Sequence, residues 1–304
     1  MIIQADGLTL TPQQRKDIEA GLIAMGDPEG TIVATTDFDQ AVRTRTGLKK
    51  YSSDRGSGAV AAKTVGDHVI INASVLDAQG HGGLERLVAH ESGHVVMNSR
   101  EENGRNYHYL ASTQWQWEVI GLAVKGMEEY RIERKLTELG FAPASAAGLD
   151  YWDDVLYDTN ATLAESVLKD QSVDALTAQI IGGADLLVTT LAYSIGALRN
   201  SPNPFNAEEL PKYGRQNWDD FVAPTWAQRI KLYESLPVCT EPVAPSAWET
   251  KIKEAWSLEQ ALLESFGWTL SGNGQDQPES FMRTGSDDLF RHRIARLQLQ
   301  DAEV

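Results

Sequence analysis

The stretch His90-Glu91-Ser92-Gly93-His94 constrains this chain more than any other, because its chemistry requires a helix. Side chains four positions apart share one helix face, so both imidazoles can reach a single metal ion. Glu91 stands about 100° round the axis, where it can touch a water molecule on that ion. In a loop the same five residues would point in unrelated directions. The flanks agree with a helix: Leu84, Leu87, Val88 and Val95 recur at helical spacing, and Gly82-Gly83 marks its entry.

The rest of the composition limits what can surround that helix. At 304 residues and 42% hydrophobic, the chain has enough material for one large or two modest cores. A formal charge of −16 and a pI near 4.8 argue against a nucleic-acid partner, since phosphate binding needs clustered Lys and Arg. Cys239 is the single cysteine, so no internal disulfide is formed. The opening Met-Ile-Ile-Gln-Ala-Asp lacks the basic-then-apolar layout of a signal peptide, so the expected compartment is cytoplasmic. The apolar run Ala175 to Leu198 approaches the length of a membrane span but carries Gln179, Asp185 and a Gly182-Gly183 pair. We read it as a buried helix, or two joined at the glycines with Asp185 as a cap, and expect no membrane contact. The eight tryptophans read mainly as packing.

Along the chain, Thr11-Pro12 followed by Ile18, Leu22 and Ile23 predicts a capped helix ending near Gly26. Thr31 to Thr36 reads as a strand and Phe38 to Thr46 as a short helix. Ala59 to Thr64 and His68 to Asn72 flank Val65-Gly66-Asp67, a hairpin signal. A second long helix is predicted from Thr113 to Leu139, then a linker near residue 145. Helices follow near 152–170, 174–199, 224–235, 245–266 and 285–299, with proline-rich loops such as Ser201-Pro-Asn-Pro204 between them. The predicted fold class is α+β: a small sheet with the motif helix and a second ligand helix in residues 1–145, then a mainly helical half in 146–304 that completes the cleft or binds partners.

A catalytic zinc takes three protein ligands and keeps a fourth position for water, so His90 and His94 need a partner. The metzincin extension would place glycine at 97 and histidine at 100, but Met97 and Arg100 stand there. Two sources remain: the cluster Glu128-Glu129-Tyr130-Arg131-Ile132-Glu133 on the second long helix, and His108. Here the chain resembles gluzincin zinc peptidases, which pair the histidine motif with a downstream helical Glu followed four residues later by another acid. Glu129 with Glu133 has that spacing. The acidic string is also similar to one in predicted bacterial and phage metallopeptidases, an alignment that would make Glu128 the ligand. The resemblance covers roughly residues 55–140 and implies Glu129 as ligand, with Glu128 and then His108 as alternatives. Leu122, Gly126, Glu129, Glu133 and Leu136 share a stripe, so Gly126 is expected to let the two motif helices approach and Glu133 to orient a histidine ring. The competing reading of Glu128, Glu129 and Glu133 is a solvated face paired with Arg131, Arg134 and Lys135.

The chemistry these residues point to is hydrolysis by one zinc ion, with Glu91 as general base. The candidate donors to a developing oxyanion are the Tyr107-His108-Tyr109 segment and Arg131. An extended substrate is expected to add to the sheet at His68 to Asn72, the strand nearest the motif. The expected function is a zinc metallopeptidase acting on a peptide or protein, with a regulatory protein as a candidate partner of the helical half. Two rival readings are a helical protein-binding module with a structural or vestigial metal site, and a zinc hydrolase of a non-peptide amide.

Overall fold

The computed structural model describes residues 1–54, 60–76, 83–143, 149–168, 173–198, 205–272 and 280–303. Ala59, Gly82 and the loop 201–204, used above, lie outside them. The chain divides into two compact units, one of Met1–Glu102, Lys135–Phe141 and Val238–Pro242, the other of Asn103–Arg134, Ala142–Pro237 and Val243–Val304.

The first unit opens with β1 (Ile2–Asp6), α1 (Pro12–Ala24), β2 (Thr31–Thr35) and α2 (Phe38–Thr46). Helix α1 begins as its sequence predicts. The Thr11 hydroxyl accepts from the Gln14 amide at 3.2 Å, Gln14 Oε1 accepts from the Thr11 amide at 2.8 Å, and Pro12 fills the first turn. Strands β3 (Ala62–Val65) and β4 (His68–Asn72) form the expected hairpin round Gly66-Asp67, and α3 (Gly83–Ser99) carries the histidine motif. The sheet order is β1-β2-β4-β3, with β1, β2 and β4 parallel and β3 antiparallel at the edge.

Period-two alternation explains how helices cover both faces of this sheet. Ile32, Ala34, Val69 and Ile71 join Ile18 and Leu22 of α1 and Val88 and Val95 of α3 in one core. Ile70, pointing the other way, packs with Phe38 and Val42 of α2. Strand β1 is not predicted from sequence; its pairing partner, β2, begins 29 residues further on. The topology also corrects the expected substrate edge, because β4 is hydrogen-bonded on both sides and β3 is the outer strand.

The second unit is mainly helical: α4 (Gln114–Glu138) as far as Arg134, α5 (Leu149–Glu165), α6 (Val173–Leu198), α7 (Lys212–Asn217), α8 (Ala223–Glu234), α9 (Pro245–Ser265) and α10 (Asp287–Glu303). A π-helical turn, Trp218–Val222, joins α7 to α8. A hairpin of β5 (Trp268–Ser271) and β6 (Ser280–Arg283), unforeseen in sequence, precedes α10. Helix α6 runs unbroken through Gly182-Gly183, so Asp185 is not a cap; it pairs with Lys125 Nζ at 2.6 Å. The stretch Ala175–Ala197 is long and apolar enough to cross a membrane, and 61% of it is buried, with Ile180, Leu187, Val188 and Leu191 in the core. Trp152, Phe205, Trp218 and Trp226 pack into one aromatic cluster, centroids 4.7 to 6.5 Å apart.

Candidate metal centre

Helix α3 is held from several sides, and each contact falls near the motif. Gly21 of α1 lies so close that a Cβ there would meet the Glu85 carbonyl oxygen at 2.5 Å and Val88 Cβ at 2.8 Å, so only glycine allows this approach. At the other end, Asn98 Nδ2 donates to the Gly66 carbonyl at 2.9 Å and ties the helix to the β-hairpin turn. Arg100 donates to the Thr240 carbonyl at 3.1 Å and to that of Cys239, and pairs with Glu102. His90 and Glu91 are buried at 7% and 8% exposure, and His94 is half-buried. The two imidazole centroids are 5.3 Å apart and 72° tilted, so both rings stand on one side of the helix, as positions four apart require.

Glu91 has a partner that sequence reasoning missed. The Thr64 hydroxyl, on edge strand β3, donates to Glu91 Oε2 at 2.6 Å and lies 3.1 Å from the Glu91 carbonyl oxygen. A threonine in a strand carries no motif and no charge, so only the packing of β3 against α3 reveals it. Thr64 fixes the Glu91 carboxylate through Oε2 and leaves Oε1 to meet other groups.

On α4 the acidic string is not a solvated face: Glu129, Arg131 and Glu133 are buried at 6%, 0% and 1% exposure, while Glu128 is half-buried. Gly126, one turn earlier, has a different role from the one predicted. A Cβ there would meet the Tyr233 hydroxyl of α8 at 2.4 Å and Val188 of α6 at 2.8 Å, so the glycine admits those two helices. Tyr233 is fully buried, and burial pushes its hydroxyl up to about 12, with Arg229 pulling against this and the Glu259 and Glu129 carboxylates adding to it. The phenol is therefore a neutral, fixed neighbour of the helix face that carries Glu129.

One ligand atom each from His90, His94 and Glu129 lie within 4.8 Å of one another. Glu128 and His108 are not part of that group. His108 is exposed on the short 3-10 helix Gly104–Leu110, its ring edge-on to Trp117 at 6.1 Å. Tyr109 is exposed and donates to Glu249 at 3.0 Å, a bond that also raises its phenol above its ordinary range. Arg131 Nε donates to the Pro237 carbonyl at 3.0 Å, and its guanidinium lies over Trp248 at 5.2 Å. That arrangement braces α4 against neighbours within its own unit.

Residues 32–102 match a family model described as the eCIS core domain, a metallopeptidase-like family. The match runs from β2 to just past α3, so it contains Thr64 and the whole His90–His94 motif and stops short of Glu129. No curated protein and no solved structure matches the chain.

Proposed function

We propose that the chain is a zinc-dependent metallopeptidase of the gluzincin type, with His90, His94 and Glu129 as metal ligands and Glu91 as general base. The observation that carries the reading is the convergence of two imidazoles and one carboxylate within 4.8 Å. Two nitrogens and one oxygen form a donor set that suits zinc and leaves a fourth position for a reacting molecule. A zinc ion bound there supplies a Lewis acid and lowers the pKa of water it holds.

The chain's own residues supply the proton handling. With Oε2 held by Thr64 at 2.6 Å, Glu91 takes a proton at Oε1 and returns it to the leaving amine. Edge strand β3 gives the substrate a place to lie. An extended peptide paired with its outer side runs past Thr64, and hence past Glu91, which selects for unfolded or loop segments.

The test measures metal and hydrolysis separately. Zinc content after dialysis is expected to be one ion per chain in the wild type and in Glu128→Ala, and to fall at least tenfold in His90→Ala and Glu129→Ala. Glu91→Gln should keep the metal and lose hydrolysis of an unfolded protein substrate by a factor of about 10³ or more, the scale of lost general-base catalysis. Full zinc retention in Glu129→Ala removes the ligand assignment. Absence of hydrolysis by zinc-loaded wild type across unfolded protein and peptide libraries removes the peptidase reading.

A further inference from the structure

Arg293 of α10 is 1% exposed and forms no ion pair among the described residues. Its guanidinium lies among three rings, with the central carbon 4.9 Å from the Phe221 centroid and 5.3 Å from those of Phe266 and Phe290. Nε donates to Asn160 Oδ1 on α5 at 2.7 Å, and Nη1 to the Phe266 carbonyl at 2.6 Å. Among the described residues Nη2 is buried without a hydrogen-bond partner, and so is Nδ2 of Asn160, a residue that is 0% exposed.

The two groups belong to hydrogen-bonded neighbours. Nε and Nη2 share an edge of the planar guanidinium. Because Nε must face an acceptor, Asn160 turns Oδ1 toward it, which leaves Nδ2, on the same carbon as Oδ1, as a second buried donor. The local charge balance points the same way. Arg296, three residues along α10, takes the carboxylate of Asp220 at 2.8 Å, so the two arginines share one acid. Burial first, and then Arg296, lower the Arg293 guanidinium to about 9 against the pull of Asp220, and it is still charged at neutral pH. Ring faces offset part of the cost of burying that charge, but they give no acceptor to the guanidinium edge.

We propose that Arg293 Nη2 and Asn160 Nδ2 form the donor edge of a buried site for a small monovalent anion of chloride's size. An anion fits better than water, because both groups donate and water would bring two hydrogens of its own to place. The bound ion would latch α10 to α5 and to the end of α9, since Asn160, Phe266 and Arg293 come from those three elements.

The experiment follows the thermal midpoint of the full chain in sodium chloride and in sodium gluconate at equal ionic strength. The midpoint is expected to rise with chloride alone, the folded-to-unfolded ratio growing about 100-fold when chloride stands at 100 times its Kd. Asn160→Asp places a resident carboxylate against Arg293, so this variant should lose the chloride response. Crystals grown in sodium bromide should show an anomalous peak within hydrogen-bond reach of Nη2 and Nδ2. A wild-type midpoint equal in the two salts, or a chloride response undiminished in Asn160→Asp, overturns the proposal. If the variant does not fold, a bromide map with no peak there overturns it, since the donors are then met by water alone.

Discussion

Arg229 and Glu259 are both 0% exposed and bind each other twice, Nη1 to Oε1 at 2.5 Å and Nη2 to Oε2 at 2.9 Å, with the Tyr233 hydroxyl accepting a further bond. Glu91 on α3 is nearly as buried, yet its carboxylate is held by an uncharged threonine. In the first arrangement each charge has its opposite, and the pair braces α8 against α9. The second keeps a carboxylate in a low-dielectric setting with one oxygen anchored and the other without a hydrogen bond among the described residues, which suits proton transfer rather than cohesion. Under the proposed function, buried charge is structural in one region and chemical in the other, and the two should respond differently to mutation.

The largest effect expected from that contrast is on folding. Glu259→Ala leaves Arg229 charged and buried, and should cost about 3–5 kcal/mol in urea denaturation, the usual penalty for stranding one partner of a buried pair. Replacing both by apolar residues of similar volume, Arg229→Met with Glu259→Leu, should recover most of the loss. Glu91→Gln, at a site nearly as buried, should shift stability by less than about 1 kcal/mol. If Glu259→Ala and Glu91→Gln cost the same, the distinction between the two regions fails.

A smaller effect tests how each region is packed round its key residues. Gly21→Ala thrusts a methyl at the backbone of Glu85, which has little freedom to move, and Gly126→Ala thrusts one at the Tyr233 hydroxyl and Val188. Each should cost about 1–3 kcal/mol by overpacking. Their consequences for metal should differ in kind. Gly126→Ala, one turn before Glu129, should weaken zinc binding in a titration of the folded protein, while adding Tyr233→Phe, which removes the clashing oxygen, should restore it. A Gly126→Ala variant with wild-type zinc affinity would show that Glu129 is positioned without help from α8.

The two regions were also unequally legible in the sequence, for the same physical reason. In the first unit, short-range chemistry marks the elements: Thr11-Pro12-Gln13-Gln14 caps α1, Gly66-Asp67 turns the hairpin, and apolar spacing round His90 and His94 declares α3. Strand β1 escapes because it is an edge with mostly exposed side chains, and what defines it is parallel pairing with β2. The β5–β6 hairpin escapes likewise, its short strands bracketed by helices. At the candidate metal centre, the histidines are readable from spacing alone, whereas Glu128 and Glu129 are adjacent acids about 100° apart on one helix. Burial and proximity separate them, and these belong to the packed chain rather than to either residue. Thr64 was invisible for the same reason: its role exists only because β3 is the edge strand that packs on α3.

Thr64 also supplies the finest test of the comparison. Thr64→Val keeps the β-branched shape that suits a strand and removes only the hydroxyl, so β3 should stay paired and the fold should lose less than about 1 kcal/mol. The Glu91 carboxylate then loses a charge-assisted hydrogen bond, one of the stronger kinds, and with it a fixed orientation. Under the proposed peptidase function kcat/KM should fall about tenfold, equivalent to about 1.4 kcal/mol of transition-state stabilisation, with zinc content unchanged. Thr64→Ser, which retains the donor, should stay near wild type. The comparison predicts this split because Thr64 serves the group to which the proposed function gives the proton transfer. A Thr64→Val variant that unfolds readily but, while folded, hydrolyses at the wild-type rate would place Thr64 with Arg229 and Glu259 among the residues that merely hold the chain together.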